Sequence, residues 1–172
     1  MGPGLSGWQL CSGQKGGQAV GLTRKGKGTK WMVVTDGNGL PLAVLLDSAQ
    51  KAEIQLAEET LGLLWVPKRG PGRPKTRPKE LVADRGYDSE AFRTHLRRRG
   101  IRPCIPERRG KRPSPGKKPD TSNYRLRWTV ERTLAWLGNF RRLVVRYGRH
   151  LSVYQGFFNL ACISILLNKL LQ

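Results

Sequence analysis

The hydrophobic pattern along this chain is clearest in two short apolar runs, which predict two strands joined by a tight turn. Residues 30–35 combine aromatic and β-branched side chains, and residues 40–46 are mostly apolar. Between them stands Asp-Gly-Asn-Gly, at residues 36–39, which is typical of a hairpin turn. Pro41 falls near the start of the second strand, where a ladder donor can be spared. The pattern therefore predicts a β-hairpin.

Farther along, the hydrophobic pattern predicts helices that alternate with short strands. Helical spacing of apolar residues occurs over residues 48–64, 89–99, 123–137 and 152–171, and short apolar runs predict strands over residues 80–83 and 101–105. The last helix is apolar on nearly every side, which predicts that it is largely buried. This order of elements favours an α/β fold with a mixed sheet flanked by helices.

Three segments show no periodicity. Residues 1–29 are rich in glycine, lysine and polar residues, and we expect them to be irregular. Residues 67–78 and 106–120 are basic and rich in proline, which predicts loops. The first of these loops contains Gly-Arg-Pro around Arg73. Arg73 is either an arginine for a narrow A·T minor groove or part of a solvated basic linker, and the linker is the simpler interpretation.

Composition adds a strong positive charge to this picture. The 172 residues include 32 Lys and Arg but 12 Asp and Glu, which gives a formal charge of +20. The length suits one domain with a real core. A charge of this size favours a polyanionic partner, and counterion release would drive its binding to DNA or RNA. An anionic membrane surface or a ribosome is the alternative partner on composition alone.

Several classes of protein are disfavoured by the same sequence. The three cysteines lie far apart and show neither a zinc-ligand spacing nor a disulfide framework, so we expect reduced thiols. No secretory signal is apparent at the start. The apolar residues 157–171 are fewer than a membrane span needs and are interrupted by polar side chains. We expect no membrane partner, no small-molecule substrate, and a cytoplasmic location on the nucleoid.

Two acids stand out against this basic background. Asp84 ends a predicted strand, and Glu131 lies within an amphipathic helix. Carboxylates from different elements that converge at a strand end can hold divalent ions against a phosphate. Arg127 precedes Glu131 by four residues and shares its helical face, with Tyr124 one turn earlier. Structural roles remain open, because Asp84 could cap a turn and Glu131 could simply pair with Arg127.

Three blocks of residues carry a resemblance to a known family. The first block is Val-Ala-Asp-Arg-Gly-Tyr-Asp at residues 82–88, and the third is Trp-Leu-Gly-Asn-Phe-Arg-Arg-Leu at residues 136–143. The second block is the spacing of Tyr124, Arg127 and Glu131, with Trp128, Val130 and Arg132 beside them. From residue 31 to residue 171 the chain resembles the C-terminal part of DDE transposases from bacterial insertion sequences.

This resemblance implies an RNase H-like fold and a defined chemistry. Three acids of such enzymes bind two Mg²⁺ or Mn²⁺ ions, nick the ends of the element and join them to target DNA. Asp84 matches the second acid and Glu131 matches the third, so both are the expected catalytic and metal-binding residues. Double-stranded DNA is the expected partner, and self-association is left open. The residues expected to contact DNA are Tyr124, Arg127, Arg132, Arg141, Arg142 and Arg73.

Two departures from the family pattern change the expectation for this chain. A lysine belongs seven residues after the glutamate, where this chain has Gly138, although Arg141 or Arg142 could supply the charge. The first acid of the family belongs on a strand before the hairpin, yet no Asp or Glu precedes Asp36. Asp36 and Asp47 are better explained as turn and loop residues than as substitutes.

These departures predict a truncated copy. Residues 1–29 are expected to be a non-family segment, and residues 30–172 a DDE domain that lacks its first strand and is marginally stable. Two hypotheses follow, an insertion-sequence transposase that cuts DNA through Asp84 and Glu131, or a basic DNA-binding remnant without catalysis. The absent acid favours the second for this chain alone. An RNA-binding protein would explain the charge but not the placement of the two acids.

Overall fold

A computed structural model describes residues 4–13, 16–24, 26–68, 70–108 and 122–171. The described residues form a seven-stranded mixed sheet with helices against both faces. The strands are β1 Gly4–Gly13, β2 Gly21–Thr23, β3 Gly26–Thr35, β4 Pro41–Ser48, β5 Glu80–Val82, β6 Arg102–Cys104 and β7 Val145–Arg146. The helices are α1 Glu53–Gly62, α2 Glu90–Arg98, α3 Trp128–Gly138, α4 Arg141–Val144 and α5 Leu151–Leu170, with 3₁₀ turns at Arg85–Tyr87 and Tyr124–Arg127. The expected α/β class with a mixed sheet is confirmed.

The centre of the sheet is β1. It pairs antiparallel with β3 on one side and parallel with β5 on the other, while β7 joins its last two residues. The main path across the sheet therefore runs β4, β3, β1, β5, β6, and β2 adds to the start of β3. The parallel pairing of β1 with β5 is short, joining Gly4 to Leu81 and Leu5 to Val82. This register determines what lies beside the end of β5.

The expectation that residues 1–29 are irregular is wrong, because β1, β2 and the start of β3 all lie within this segment. The sheet accordingly does not lack a strand in front of the hairpin, and the expected marginal stability loses its basis. Local sequence gives little sign of β1, since glycine and serine make up half of its ten residues. Pairing on both sides explains why such a sequence is extended, because strand preference depends strongly on neighbours. A boundary after residue 29 would also cut through β3.

The predicted hairpin is confirmed and is longer than expected. β3 and β4 pair antiparallel from Thr29 opposite Ser48 to Thr35 opposite Pro41. Asp36 shapes the turn, because its Oδ1 accepts hydrogen bonds from the backbone N–H groups of Asn38 at 2.9 Å and Leu40 at 2.8 Å. This confirms Asp36 as a turn residue.

Two hydrophobic clusters cover opposite faces of the sheet, and β3 contributes to both. Met32 and Val34 pack with residues of α1 and α2. Trp31 and Val33 pack with residues of α3 and α5 instead. The alternation follows from the period of two along a strand, and it explains why β3 is continuously apolar in the middle. Helices therefore form an outer layer on each side of the sheet.

The remaining helices and strands lie close to their predicted places. α1 is shorter than the predicted 48–64, because Ser48 belongs to β4 and the next four residues form a turn. From this turn Lys51 donates to Asp47 at 2.8 Å and to Glu59 at 2.7 Å. This pairing supports a structural role for Asp47. The predicted helix 123–137 begins as the 3₁₀ turn at Tyr124–Arg127 and continues as α3. α4 and β7 were not predicted.

The expectation that the last helix is largely buried is wrong. One stripe of α5, with Tyr154, Phe158, Ala161 and Ile165, packs against the sheet. The opposite side exposes apolar residues, namely Val153, Phe157, Leu160, Ile163, Leu167 and Leu170. A helix on the outside of a sheet buries only the stripe that faces the sheet, and no described element covers the rest. By length and composition alone, this one described helix is also apolar enough to cross a membrane.

The first proline-rich segment closes on itself. Val66 and Lys75 form an antiparallel bridge, with backbone N–H to O distances of 2.9 and 2.8 Å. Arg73 lies in the exposed loop between them, and Gly72 turns the chain with a φ of +130°. The segment is thus a loop, as predicted, whose two ends are fixed. Most of the second segment, residues 106–120, lies outside the described residues.

Candidate active site

Asp84 lies just beyond the carboxyl end of β5, as the sequence predicted. Its backbone remains extended, with φ −70° and ψ 162°, and its side chain caps the following 3₁₀ turn. One oxygen, Oδ1, accepts a hydrogen bond from the backbone N–H of Arg85 at 2.7 Å. The carboxylate is exposed, so it is available to a ligand as well as acting as a cap. Both roles considered for this residue are therefore compatible.

Glu131 lies in the first turn of α3 and faces Asp84 across a small cavity. Arg127 stands between the two acids. Its Nη1 is 2.7 Å from Glu131 Oε1 and 3.9 Å from Asp84 Oδ2. The pairing of Arg127 with Glu131 follows from their spacing of four residues across the junction between the 3₁₀ turn and α3. Arg127 consequently places a positive charge next to both carboxylates.

Tyr124 joins the same group through its hydroxyl. It donates a hydrogen bond to Asp84 Oδ1 at 3.3 Å, and the Arg127 guanidinium carbon is 5.8 Å from the centre of its ring. Partial burial raises the pKa of Tyr124 and outweighs the nearby positive charge of Arg127, which acts in the opposite direction. The hydroxyl therefore stays protonated at neutral pH and remains a donor to Asp84.

A cavity of about 190 Å³ lies beside Asp84, Arg127 and Glu131. It brings together elements that are far apart in sequence, namely β1, the start of α1, the end of β5 and α3. Its lining residues are Gly7, Glu53, Asp84, Gly86, Tyr87, Arg127, Val130, Glu131 and Leu134. Glu53 is a third acid at this cavity, and Lys30 Nζ lies 3.8 Å from its Oε1.

Gly7 is the residue of β1 that lies beside Asp84. The parallel register pairs Gly4 with Leu81 and Leu5 with Val82, so extending it by two residues brings Gly7 level with Asp84. A Cβ atom at Gly7 would lie 3.1 Å from Val130 Cγ2 and 3.0 Å from Leu134 Cδ1. Any side chain at position 7 would therefore project toward α3, on the side that carries Glu131.

The residues around this cavity do not fit a site for two divalent ions. Such a site needs carboxylate oxygens from several directions to orient and neutralise both ions. Within the described ranges, no group of three or more Asp, Glu, His or Cys side chains is placed to hold a metal ion. Gly7, which also lines the cavity, adds no carboxylate to Asp84 and Glu131. Arg127 already neutralises part of the charge of the two acids.

The structure separates the predicted site residues into two groups. Asp84, Arg127 and Glu131 line the cavity, and Tyr124 joins them through its hydrogen bond to Asp84. The other four expected DNA contacts do not line it: Arg132 packs on the aromatic rings of α3, Arg141 and Arg142 lie on α4, and Arg73 lies in the loop closed by Val66 and Lys75. Gly138, in place of the expected lysine, ends α3, and the nearest described side chain to it is that of Gln9.

Sequence reasoning missed two lining residues, Gly7 and Glu53. Glu53 carries no motif, and only the fold brings the start of α1 to the end of β5. Gly7 could have been found only by recognising β1, because its significance comes from its register with β5. A glycine in an apparently irregular segment gave no other signal.

Comparison with solved structures supports the fold. The chain resembles the transposase in a cryo-EM structure described as the piggyBac transposase synaptic complex with hairpin DNA, with a TM-score of 0.53 and 15% sequence identity. The similarity covers 95% of this chain and 46% of the other. At this level of identity the likeness concerns the fold, an α/β sheet flanked by helices that transposases also use.

Sequence comparison then identifies the family. Residues 6–166 match the sequence profile of the family described as "Transposase DDE domain". Over 144 residues the chain is 41% identical to a Burkholderia cepacia protein described as "Putative transposase for insertion sequence element IS402". That similarity covers 83% of this chain and 64% of the relative, so the chain spans less than two thirds of that protein.

This chain belongs to the DDE transposase family of insertion sequences. DNA cleavage and strand transfer are the general role of the family, and its members generally use divalent metal ions. The family match begins at residue 6, within β1. Gly7 therefore lies inside the part of the chain that matches the family.

Proposed function

We propose that this chain is a transposase domain that binds double-stranded DNA at element ends and target sites but does not cleave DNA by itself. The observation that carries this proposal is the position of Gly7. It lies level with Asp84, and a side chain there would point toward α3, the helix that contains Glu131. Position 7 is where the first of the three acids would belong. This chain thus has two acids of the set and a glycine in place of the other.

The order of the strands supports a more specific fold assignment. Three antiparallel strands, β4, β3 and β1, are followed by β5 and β6 in parallel, and helices cover both faces. We assign this arrangement to the RNase H-like class. On that assignment β1 is the first strand of the class, and its place at the centre of the sheet explains why a residue of β1 reaches the cavity.

Two carboxylates with an arginine between them make a poor site for two ions. Mg²⁺ prefers carboxylate oxygens together with water and phosphate oxygens, and two adjacent ions need the combined charge of several acids. Arg127 offsets part of the charge of Asp84 and Glu131. We expect weak binding of a single ion at most, which cannot both activate the attacking oxygen and stabilise the leaving one.

Binding of DNA depends on a different property, the charge of +20. Arg141 and Arg142 are exposed at the start of α4, and Arg73 is exposed in its closed loop. Phosphate contacts by such residues release counterions, which drives binding without any need for catalysis. The absent carboxylate at position 7 leaves this function intact, and the chain would accordingly occupy DNA on the nucleoid.

Incubation of the chain with a supercoiled plasmid and a labelled duplex carrying element ends, with Mg²⁺ or Mn²⁺, tests the proposal. The wild type should bind both substrates without nicking either. The Gly7→Asp variant should gain metal-dependent nicking, and Asp84→Asn in that background should abolish it. Gly7→Asn is the matched control, because it adds nearly the same volume next to Val130 and Leu134 without the charge.

Calorimetric titration of the same variants with Mn²⁺ gives a readout independent of activity. Gly7→Asp should bind Mn²⁺ at least about tenfold more tightly than Gly7→Asn, since a third carboxylate adds a hard oxygen ligand. Equal and weak affinities in both would mean that position 7 is not part of a metal site. Nicking by the wild type that is lost in Asp84→Asn would overturn the proposal.

Glu53 favours the second candidate function, an active transposase. It is the other described acid that lines the cavity, and its ion pair with Lys30 is long at 3.8 Å. If the wild type nicks DNA, Glu53 is the residue that could compensate for Gly7. Glu53→Gln should then abolish nicking, whereas on the main proposal it leaves DNA binding unchanged.

A further inference from the structure

The outer face of α3 carries an arginine packed between two tryptophans. The Arg132 guanidinium carbon lies 4.6 Å from the ring centre of Trp128 and 4.8 Å from that of Trp136. The three residues are spaced by four, so they lie one above another on the same side of the helix. Arg132 is held in place because its Nη2 donates a hydrogen bond to the backbone oxygen of Asn38 at 2.7 Å.

The arginine and both rings form a pre-arranged surface with an open end. Trp128, at the end nearer the start of α3, is 53% exposed, an unusual state for a large aromatic side chain. The ring of Trp128 covers one side of the Arg132 guanidinium, and the ring of Trp136 covers the other. The Nε of Arg132 is buried without a hydrogen-bond partner. The outer side of Trp128 is thus free to stack on a planar group.

A cleft adjoins the other end of this surface. Its volume is about 410 Å³, within the range of pockets that hold small molecules, and it lies between the end of α3 and the last turns of α5. Its walls combine three chemistries, the aromatic rings of Trp136 and Phe140, the amides of Asn139 and Asn168, and the cations of Arg132 and Lys169.

We propose that this surface, formed by Trp128, Arg132, Trp136 and the adjoining cleft, binds unpaired bases of a DNA strand. Stacking on an aromatic ring suits every base, because every base has a planar face, and proteins that hold single strands combine such rings with basic side chains. The amides can donate to and accept from base edges, and the two cations can reach phosphates. The charge of +20 attracts the phosphates of a DNA strand and therefore favours a DNA strand over a neutral peptide as the ligand.

The inference rests on the proposed DNA binding and deepens it. Arg132 directly follows Glu131, so the surface and the cavity share one helix. A duplex bound near that cavity would place an unpaired end or a displaced base within reach of α3. Duplex binding needs only phosphate contacts, whereas this surface predicts an added preference for bases that are not paired.

Fluorescence anisotropy with three labelled DNAs tests this preference. The first is a blunt duplex, the second carries a single-stranded overhang, and the third carries an overhang of equal length made of abasic sugars. The overhang with bases should bind more tightly than the abasic overhang, although both carry the same phosphate charge. Trp128→Ala should remove most of this difference, about tenfold if one base stacks.

Trp65→Ala is the matched control, because Trp65 is 62% exposed and lies outside this surface. It should keep the full preference. Asn168→Ala, in the cleft, should reduce the preference, and Asn159→Ala, which is also exposed on α5 but does not line the cleft, should not. Circular dichroism of each variant verifies that the fold is retained.

The outcomes separate this inference from the proposed function. Equal affinity of the wild type for overhangs with and without bases, together with firm binding of the blunt duplex, would overturn the inference and leave DNA binding standing. Equal losses in Trp128→Ala and Trp65→Ala would also overturn it. Failure to bind any of the three DNAs would refute both.

Discussion

Asp88 and Arg93 form an ion pair in which both side chains are buried. Arg93 Nε and Nη2 donate to Asp88 Oδ1 at 3.0 and 2.9 Å, and Nη2 also donates to the backbone oxygen of Ile105 at 2.7 Å. Asp88 Oδ2 accepts from the backbone N–H of Arg108 at 2.8 Å. Asp88 stands four residues after Asp84, so this pair ties the segment that carries the catalytic-type acid to α2 and to the chain beyond β6.

Replacing Asp88 with Asn should destabilise the protein by about 3–5 kcal/mol, because it leaves the Arg93 charge buried and unpaired. Urea unfolding monitored by circular dichroism measures the change in the free energy of unfolding. Glu90→Gln is the control, since the Glu90–Arg97 pair is exposed on both sides and its loss should cost less than about 1 kcal/mol. Similar losses in the two variants would contradict a structural role for the buried pair.

At the level of residues, the sequence predicted the acids but not the glycine. Asp84 and Glu131 lie close together as expected, because Asp84 follows a strand and Glu131 lies in a helix that the sequence predicts. Asp36 also has its predicted role, since turn chemistry is local. Gly7 has no local signature, and its position follows from hydrogen bonds to strands that lie 26 and 77 residues farther along the chain, at Val33 and toward the end of β5.

Among the elements, β1 shows most clearly where sequence patterns fail. Its residues include Gly4, Gly7 and Gly13 and contain no β-branched side chain, so neither propensity nor alternation indicates a strand. Glycine is nonetheless suited to position 7, because Val130 and Leu134 of α3 approach the backbone closely there. Contacts with residues far away in the sequence make β1 a strand, so a local sequence pattern cannot indicate it.

Removing residues 1–13 should abolish cooperative unfolding, because β3 and β5 would both lose their partner at the centre of the sheet. The full chain should show one sharp thermal transition by circular dichroism, and the shortened chain none. Replacing residues 67–74 with a two-residue Gly-Ser linker is a control for the loss of chain length, since this loop is exposed and its ends are joined by the Val66–Lys75 bridge. A shortened chain that melts like the full one would show that β1 is dispensable.

α5 illustrates a different limit of sequence patterns. An apolar periodicity on all sides predicts burial on all sides, yet a helix that lies on one face of a sheet can bury only one stripe. The apolar pattern predicted the bounds of this helix to within one residue, but it wrongly predicted that the helix is buried on all sides. The sequence of the helix does not indicate how many of its sides are covered by other elements.

For the molecule as a whole, charge should dominate the affinity for DNA. With roughly six to ten phosphate contacts, affinity should fall by roughly 10³–10⁵ between 50 and 200 mM salt. Anisotropy titrations at several salt concentrations give the slope of log K against log salt. Arg73→Ala should reduce that slope by about one if Arg73 meets a phosphate. Arg97→Ala should change it less, because Arg97 is paired with Glu90, and an unchanged slope in Arg73→Ala would mark the loop as a solvated linker.

The three cysteines should report unfolding of the whole molecule. Cys11 and Cys104 are buried, burial raises the pKa of Cys11, and burial raises the pKa of Cys162 to about 11. At pH 8 the reactive thiolate of Cys162 is thereby reduced roughly a hundredfold relative to an ordinary thiol. Mass spectrometry after brief alkylation should find the native protein unlabelled and the urea-unfolded protein labelled three times. Rapid labelling of the native chain would indicate local opening.

Gly7 also has a consequence at the level of the gene. Every glycine codon becomes an aspartate or a glutamate codon through one transition at its second base, and either product places a carboxylate at position 7. The strands and helices around this position are already assembled without that carboxylate, so the new side chain requires only small shifts of Val130 and Leu134. On the proposed function, a copy that binds DNA without cutting it stands a single base substitution away from a full set of three acids, and selection for transposition among randomly mutated copies should recover changes at this codon first.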